Sequence, residues 1–293
     1  MEIDRLRDAD NPPAAMEANR ATADKITLDT DTDTDTGTDE HGDGDRAAAC
    51  IEYRAIVDAT YQAVARERWE NAKPAFSAEW AEHKRQHPAP ADVSPAIDEP
   101  ARRQVEAGCT SIRETEETTV TPAMHRIESA DPDRQLTGLE HRRKGEDRIM
   151  EKVARQLASQ PDLTPDDALA SVKDAIRYTF QYTEDRYTEG VESDVDRLKA
   201  AGFEQVELRN SWEHEEYKGI NSRWRVPENG QLFEVQFHTG ISFEAKQLTH
   251  PAYERLRNPL TPKGERDELR DFQRQVCTYI PIPPDATNTP DYM

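Results

Sequence analysis

Two acidic residues and one basic segment carry most of the chemistry that this sequence could perform. Glu234 lies in QLFEVQFHTG, residues 231–240, where apolar and polar side chains alternate. Read as a strand, the segment sends Glu234, Gln236 and His238 to one face of a sheet and apolar side chains to the other. This polar row is either the solvated side of a sheet or the floor of an active site. A carboxylate on an inner strand needs a partner or a cation.

Asp174 is the second acidic candidate. It directly precedes AIRYTFQYT, residues 175–183, whose period of two predicts a strand, and Arg177 follows three positions later. Together with Glu234, Asp174 would make a two-carboxylate site for Mg²⁺, an ion that keeps several waters and bridges phosphate oxygens. The alternative is that Asp174 pairs with Arg177 or caps the preceding helix.

The basic segment RRKGEDRIMEK spans residues 142–152. Its candidate phosphate-binding cations are Arg142, Lys144, Arg148 and Lys152. Several cations aimed at one place suit a polyphosphate. The alternative is a solvated helix face on which Glu146 and Glu151 pair with these cations at helical spacing. In a chain with a net charge of -21, a local cationic cluster gains weight as a site.

The segment EYKGINS, residues 216–222, is a third candidate. Gly219 allows close approach of a ligand to the backbone, and Tyr217 could be an exposed platform on which a nucleobase stacks. The alternative for Tyr217 is packing at the rim of the sheet.

Charge and composition exclude several classes of function. The net charge of -21 over 293 residues disfavours bulk binding to nucleic acid or to an anionic membrane. The three cysteines are widely spaced and indicate neither a disulfide framework nor a zinc site. No segment has the apolar length of a membrane span or a signal peptide. We therefore expect a cytoplasmic protein, with export by a route without a cleaved signal left open.

Composition also divides the chain into five regions. The boundaries that we predict are a disordered acidic tail at 1–47, a helical segment at 48–83 that breaks near Pro74, a proline-rich linker at 84–99, one globular domain at 100–280 and a C-terminal tail at 281–293. A calcium-binding interpretation of the aspartate repeat in the acidic tail lacks the spacing of an EF-hand loop.

Within the globular region the patterns predict an α+β fold. Helices are expected at 101–120, 121–132, 145–159, 163–174, 189–202 and 242–258, and strands at 175–183, 203–212 and within a hairpin at 219–239. Thr164 and Ser242 are the expected helix caps, and Asn229-Gly230 the hairpin tip. A strand–helix–strand unit followed by a hairpin gives a small mixed β-sheet flanked by helices.

The order of these segments resembles the synthetase domain of the RelA/SpoT-like alarmone synthetases. The family's Arg-x-Lys-x-x-x-Ser-Ile-x-x-Lys motif is similar to RRKGEDRIMEK, in which Arg148 replaces the serine. Its Glu-x-Gln-Ile-x-Thr motif is similar to EVQFHT, which keeps Glu234, Gln236 and Thr239. The resemblance covers about 100–258 and implies a nucleotidyltransferase-like sheet, in a small synthetase-only or toxin-like divergent member.

Two features depart from the family pattern. The acceptor loop Gly-Tyr-x-Ser-x-His keeps Tyr217, but Glu216, Gly219 and Asn221 stand at the other three places. The family's metal-binding aspartate lies five residues before an arginine, whereas Asp174 lies three residues before Arg177.

The resemblance implies transfer of the β,γ-pyrophosphate of ATP to the ribose 3′-hydroxyl of a purine nucleotide, with Mg²⁺ as cofactor. The roles that it implies are catalysis and metal binding by Asp174 and Glu234, ATP-phosphate binding by Arg142, Lys144, Arg148, Lys152 and Arg177, and acceptor binding by Tyr217, Lys218, Asn221, Gln236 and His238. Glu234 would also take the proton of the attacking hydroxyl.

Several alternatives stay open at this stage. The product could be an alarmone of the (p)ppGpp or (p)ppApp kind, made by a housekeeping enzyme or by a growth-inhibiting toxin. The acceptor could instead be the 3′ end of tRNA, and the domain could bind nucleotides without turning them over or be purely structural. An antitoxin or a second copy of the chain is a possible partner.

Overall fold

A computed structural model of the chain describes residues 42–88 and 95–292, with side chains described from residue 59 onward. Of the predicted acidic tail, residues 1–41 lie outside the described residues, as do residues 89–94 of the predicted linker. The described residues form two compact units, the first made of 42–87 with 278–281 and the second of 88 and 95–277 with 282–292. No helix among these residues is both long and apolar enough to cross a membrane.

The first unit is built on one helix, α1 (Gly42–Gln86). The prediction of a break near Pro74 is wrong, because the helix continues through that proline. A proline inside a helix removes one hydrogen bond and crowds the preceding turn, at a cost of about 3 kcal/mol. Trp69 and Phe76, on either side of Pro74, are fully buried, and Phe76 meets Tyr279 edge to face at 5.3 Å. This packing offsets the loss.

The second unit holds a mixed α+β arrangement, as predicted. Its helices are α2 (Glu99–Thr115), α3 (Thr121–Ser129), α4 (Glu146–Ser159), α5 (Pro165–Ala170), α6 (Tyr187–Ala200), α7 (Gly240–Arg257) and α8 (Lys263–Cys277). A π-helical turn, Glu116–Val120, joins α2 to α3. The sequence patterns predicted neither α8 nor the short strand at 134–137.

Five strands form one sheet in the order β1-β2-β5-β4-β3. They are β1 (Arg134–Thr137), β2 (Arg177–Tyr182), β3 (Glu204–Asn210), β4 (Ile220–Arg225) and β5 (Leu232–Thr239). β2 and β5 are parallel, and the other neighbours are antiparallel. The hairpin between β4 and β5 turns as predicted, with Gly230 at a φ of 74°. Strand β5, which carries Glu234, is thus the central strand of the five.

Both faces of β5 are covered. Phe233, Val235 and Phe237 are fully buried on one face, but Gln236 and His238 on the other face are also buried, at 5% and 0% exposure. Helix α7 begins at Gly240, directly after the strand, and covers this polar face. The interpretation of a solvated face is thus wrong for the C-terminal half of β5.

The start of α7 is fixed by a reciprocal cap. Thr239 is the cap residue, and its hydroxyl accepts from the Ser242 amide while the Ser242 hydroxyl accepts from the Thr239 amide at 3.0 Å. The prediction of Ser242 as the cap is therefore wrong by one turn, because the helix begins without a loop after β5. The predicted Thr164 cap of α5 is confirmed.

Residues of the predicted C-terminal tail lie against the edge strand β3. The amide of Leu208 donates to the Tyr292 carbonyl at 2.8 Å, and the Asn210 amide donates to Asp291 at 2.7 Å. This segment satisfies backbone groups at an edge that would otherwise be open to pairing with another chain.

Gly190 tests how tightly α6 packs on the sheet. A Cβ atom at this position would lie 2.6 Å from the ring of Tyr182, whose hydroxyl donates to buried Asp194 at 2.6 Å and so holds the ring in place. We expect Gly190→Ala to lower the free energy of unfolding by about 1–3 kcal/mol, as overpacking does, measured by urea denaturation. Gly264→Ala in α8 is the control, because no atom of the described residues lies within 4 Å of an added Cβ, and it is expected to be neutral or slightly stabilising. Equal effects of the two substitutions would contradict the packing described.

Candidate active site

The two candidate carboxylates meet at the start of the parallel strand pair. Arg177, the first residue of β2, lies directly opposite Glu234 of β5 in the strand register. Its guanidinium lies 3.2 Å from Oδ2 of Asp174 and 3.6 Å from Oε1 of Glu234. Asp174 and Glu234, which are distant in sequence, therefore share one cation.

The basic segment is attached to the same place by its backbone. The amide of Lys144 donates to the Ala175 carbonyl at 2.9 Å, and the amide of Arg177 donates to the Arg142 carbonyl at 2.7 Å. These two bonds flank a bridge between Arg143 and Ile176. Residues 142–144 thus continue along β2 beyond the end of β1, which brings Lys144 next to Asp174.

Two lysines complete the cluster. Nζ of Lys144 lies 3.0 Å from Oδ2 of Asp174, and Nζ of Lys152 lies 3.0 Å from Oδ1. Burial opposes ionisation of Asp174, but the two lysines outweigh it and hold the pKa of this carboxyl well below its ordinary value. We call Lys144, Lys152, Asp174, Arg177 and Glu234 the charge cluster. All five were predicted as site residues.

Helix α4 aims Lys152 by burying its apolar side. Ile149 and Val153 are buried beneath the helix, and Lys152 lies at the border of that face, 36% exposed. Arg148 is 71% exposed and pairs with Glu151 of its own helix. The structure therefore does not bring Arg148 into the charge cluster.

Arg142 contacts a carboxylate that the sequence did not single out. Glu116, in the π-helical turn, is completely buried and accepts from Nε of Arg142 at 2.9 Å, Nη1 of Arg143 at 3.3 Å and the Tyr178 hydroxyl at 2.9 Å. Burial raises the pKa of Glu116, but hydrogen bonds from Thr121 and its other donors outweigh it and leave the pKa below the ordinary value. In the sequence this glutamate belongs to an acidic run, RETEETTV, that reads as solvent-exposed.

Arg142 and Arg143 line an open cavity of about 240 Å³ beside the charge cluster. Its other lining residues are Glu140, Lys144, Gly145 and Glu146, at the N-terminus of α4. The three cations outnumber the two glutamates of the lining, and together with the helix N-terminus they favour an anionic ligand.

A second missed residue, Lys246 of α7, lies over Gln236. Nζ of Lys246 donates to Oε1 of Gln236, and Nε2 of Gln236 donates to Oε1 of Glu234. Burial and, to a smaller extent, the charge of Arg177 lower the pKa of Lys246 to about 8, although the charge of Glu234 opposes the shift. The signal available in the sequence is a lysine two helical turns after Thr239, on the helix that follows the candidate strand.

Three of the predicted acceptor residues bind one another. The Tyr217 hydroxyl donates to Oδ1 of Asn221 at 2.8 Å and lies 2.9 Å from Nε2 of His238, whose Nδ1 lies 2.9 Å from the Ser242 hydroxyl. Because the Tyr217 proton points to Asn221, His238 donates from Nε2 and accepts at Nδ1. Burial, with help from Lys246, lowers the pKa of His238 well below its ordinary value, so the ring is neutral.

This arrangement bears on how Tyr217, Lys218 and His238 could act. His238 is fully buried with both nitrogens in use, which suits support of Tyr217 and not contact with phosphate. The Tyr217 ring is half-buried and meets His238 edge to face at 5.6 Å. Nζ of Lys218 donates to the Trp212 carbonyl at 2.7 Å. Gly219 allows the close contact, because at its φ of 145° a Cβ atom would lie 2.7 Å from the His238 ring.

No protein-family model matches the chain, and no curated protein sequence is similar to it. Among solved structures, small alarmone synthetase 1 from Bacillus subtilis is 15% identical over 61% of this chain and 87% of its own, with a TM-score of 0.36. Small alarmone synthetase 2 from the same organism is 14% identical over 61% and 92%, with a TM-score of 0.38. The complex between the Type VI effector Tas1 and its immunity protein matches at 16% identity over 61% and 96%, with a TM-score of 0.36.

The first two of these proteins carry the name of the enzyme class that the sequence motifs resemble.

The depressed pKa of Asp174 predicts how stability depends on pH. Asp174 is the carboxylate that Lys144, Lys152 and Arg177 share, so Asp174→Asn should cost about 1–3 kcal/mol of unfolding free energy at pH 7. A lowered pKa in the folded state means that this stabilisation is complete above the unfolded value of about 3.9 and shrinks as the pH falls toward the folded value. The difference between wild type and Asp174→Asn, measured by urea unfolding, should narrow from pH 6 to pH 3. Asp162→Asn, at an exposed turn, is the control. A difference that widens at low pH would contradict the ion pairs.

Proposed function

We propose that the protein is an ATP:nucleotide 3′-pyrophosphokinase, which transfers the β,γ-pyrophosphate of ATP to the ribose 3′-hydroxyl of a purine nucleotide. The observation that carries the proposal is the convergence of Lys144, Lys152 and Arg177 on Asp174 and Glu234 at the start of the β2–β5 pair. Three cations and two carboxylates at one place suit a metal-bound triphosphate more than any neutral substrate.

The reaction forms a bond between the acceptor's 3′ oxygen and the β-phosphorus of ATP. It breaks the bond between that phosphorus and the oxygen that bridges to the α-phosphorus, so that AMP leaves. The hydroxyl proton passes to Glu234. Transfers of this kind depend on alignment and charge neutralisation more than on covalent help from the protein.

The cations would exchange their present partners for phosphate oxygens. Lys144, Lys152 and Arg177 now neutralise carboxylates, and a triphosphate offers them charge-assisted hydrogen bonds of the same kind. The neighbouring cavity, lined by Arg142, Arg143 and Lys144, would hold the part of the triphosphate that extends beyond the carboxylates.

Mg²⁺ fits the donor set of the site. Asp174 and Glu234 offer carboxylate oxygens, the hard ligands that Mg²⁺ prefers, and both lie within reach of the Arg177 guanidinium. When bound, the ion would supply positive charge that offsets the charge of the phosphates. Asp174 and Glu234 would hold it, while Arg177 would turn from the carboxylates toward phosphate.

The acceptor nucleotide would lie against the Tyr217 ring. His238 and Asn221 fix the Tyr217 hydroxyl, so the accessible part of the ring has a defined orientation on which a purine could stack. Glu234 and Tyr217 are both tied to β5, the first as a residue of the strand and the second through His238. This common support would set the distance between the base and the reacting hydroxyl.

A nucleotide-binding module without catalytic activity is the second candidate. The altered acceptor loop and the engagement of Lys218 by a backbone carbonyl support it as the alternative to an enzyme, because both weaken the predicted contacts with an acceptor. A toxin that modifies the 3′ end of tRNA is the third, although the net charge of -21 opposes attraction of a polyanion.

The deciding experiment uses ATP labelled at the γ-phosphate, with Mg²⁺ and with GDP, GTP, ADP, ATP or tRNA offered in turn. We expect label to appear in a nucleotide acceptor together with an equal amount of AMP. Glu234→Gln should lower the rate about 100-fold or more, because the base is lost. Glu204→Gln, an exposed glutamate of the same sheet that pairs with Arg225, is the matched control and should leave the rate unchanged.

Other outcomes separate the alternatives. Binding of ATP without label transfer to any acceptor would identify a binding module and overturn the enzyme. Label in tRNA alone would identify the third candidate. Release of ADP and inorganic phosphate would mean hydrolysis, which the proposal does not include.

A further inference from the structure

We infer that Lys246 is a positioning residue, which fixes the amide of Gln236 and through it the orientation of Glu234. The expected effect of Lys246 on catalysis rests on the proposed function. The contacts of Lys246 with Gln236, and of Gln236 with Glu234, do not depend on it. Nothing in the sequence motifs assigns a role to Lys246.

The hydrogen bonds allow one orientation of the Gln236 amide. The ammonium of Lys246 can only donate, so it requires the amide oxygen of Gln236 as its partner. The Thr179 hydroxyl donates to the same oxygen at 3.5 Å. The carboxylate of Glu234 can only accept, so it requires the amide NH₂ group. Lys246 thus prevents the amide from turning its oxygen toward the carboxylate.

The same bonds leave the two oxygens of Glu234 in different surroundings. Oε1 is approached by Nε2 of Gln236 and by Nε of Arg177 at 3.6 Å. Within residues 59–88 and 95–292, no side chain donates a hydrogen bond to Oε2. A carboxylate held at one oxygen presents the other in a defined direction, which is what a base for a positioned hydroxyl needs.

Lys246 reaches Gln236 because of how α7 starts. The helix follows β5 without a loop, and the Thr239–Ser242 cap and the Ser242–His238 contact fix its rotation. Two helical turns after Thr239, the chain returns over the strand face that carries Gln236. Nζ of Lys246 also lies 5.3 Å from the centre of the Phe243 ring, which narrows its freedom further.

The experiment compares Lys246→Met with Lys246→Arg in the full chain. Methionine keeps the length and the burial but removes the donor, whereas arginine keeps the donor. We expect Lys246→Met to lower kcat for pyrophosphate transfer about 10- to 100-fold with less than about a threefold change in KM for ATP, and Lys246→Arg to restore most of the rate. Lys199→Met, an exposed lysine of α6, is the matched control. Unchanged kcat in Lys246→Met, or a loss confined to KM, would overturn the inference.

A spectroscopic measurement separates this inference from the proposed function. The side-chain amide protons of Gln236, assigned by their loss in Gln236→Leu, should exchange slowly in wild type and in Lys246→Arg and at least tenfold faster in Lys246→Met. This readout needs no turnover. A wild type that fails to transfer pyrophosphate but shows the expected pattern would overturn the function and leave the positioning contact intact. Equal exchange in wild type and Lys246→Met would overturn the contact itself.

Discussion

The guanidinium of Arg177 lies between two carboxylates that belong to different parts of the chain, and the site depends on this contact. Like charges at short range repel, so Asp174 and Glu234 could not approach one place without a cation to share. The strand register brings Arg177 to both carboxylates, because the parallel pairing of β2 with β5 places Arg177 opposite Glu234. The remaining cations join by a second register, the short pairing of residues 142–144 with 175–177. Backbone hydrogen bonds thus place the charged residues next to one another, and the ion pairs between them hold the site together.

The sequence predicted the parts of this arrangement that are local. Alternation in EVQFHT placed Glu234, Gln236 and His238 on one face, Asn229-Gly230 marked the hairpin, and Thr164 marked a helix start. The family motifs then predicted that Lys144, Lys152 and Arg177 converge with the carboxylates. Each of these predictions depends on neighbours along the chain or on a known motif. None of them requires knowledge of what packs above the sheet.

The parts that were missed depend on tertiary packing or on weak local signals. β1 has only four residues, RQLT, too few to show a period. Glu116 looks like a member of a solvated acidic run until α2, α3 and β2 enclose it. Lys246 reaches Gln236 only because α7 covers this face of β5, and the same packing buries His238.

Pro74 is tolerated inside α1 for a similar reason, since the packing of Trp69 and Phe76 outweighs the local preference against proline in a helix. Helix α8 is the exception among the missed parts, because Leu269, Phe272 and Val276 recur at helical spacing and predict a buried helix face from the sequence alone.

The buried carboxylate of Glu116 also determines how far toward the N-terminus a fragment must extend to keep the ion pairs of the site. It lies 26 positions before Arg142, in the turn that joins α2 to α3, and it accepts hydrogen bonds from Thr121 and Tyr178 as well as from Arg142. A fragment excised at the motif boundary, from Arg142 onward, would keep every residue of the charge cluster and yet leave two guanidinium groups without their counter-ion. The smallest piece able to keep these ion pairs therefore includes Glu116, which lies in sequence that carries no motif at all.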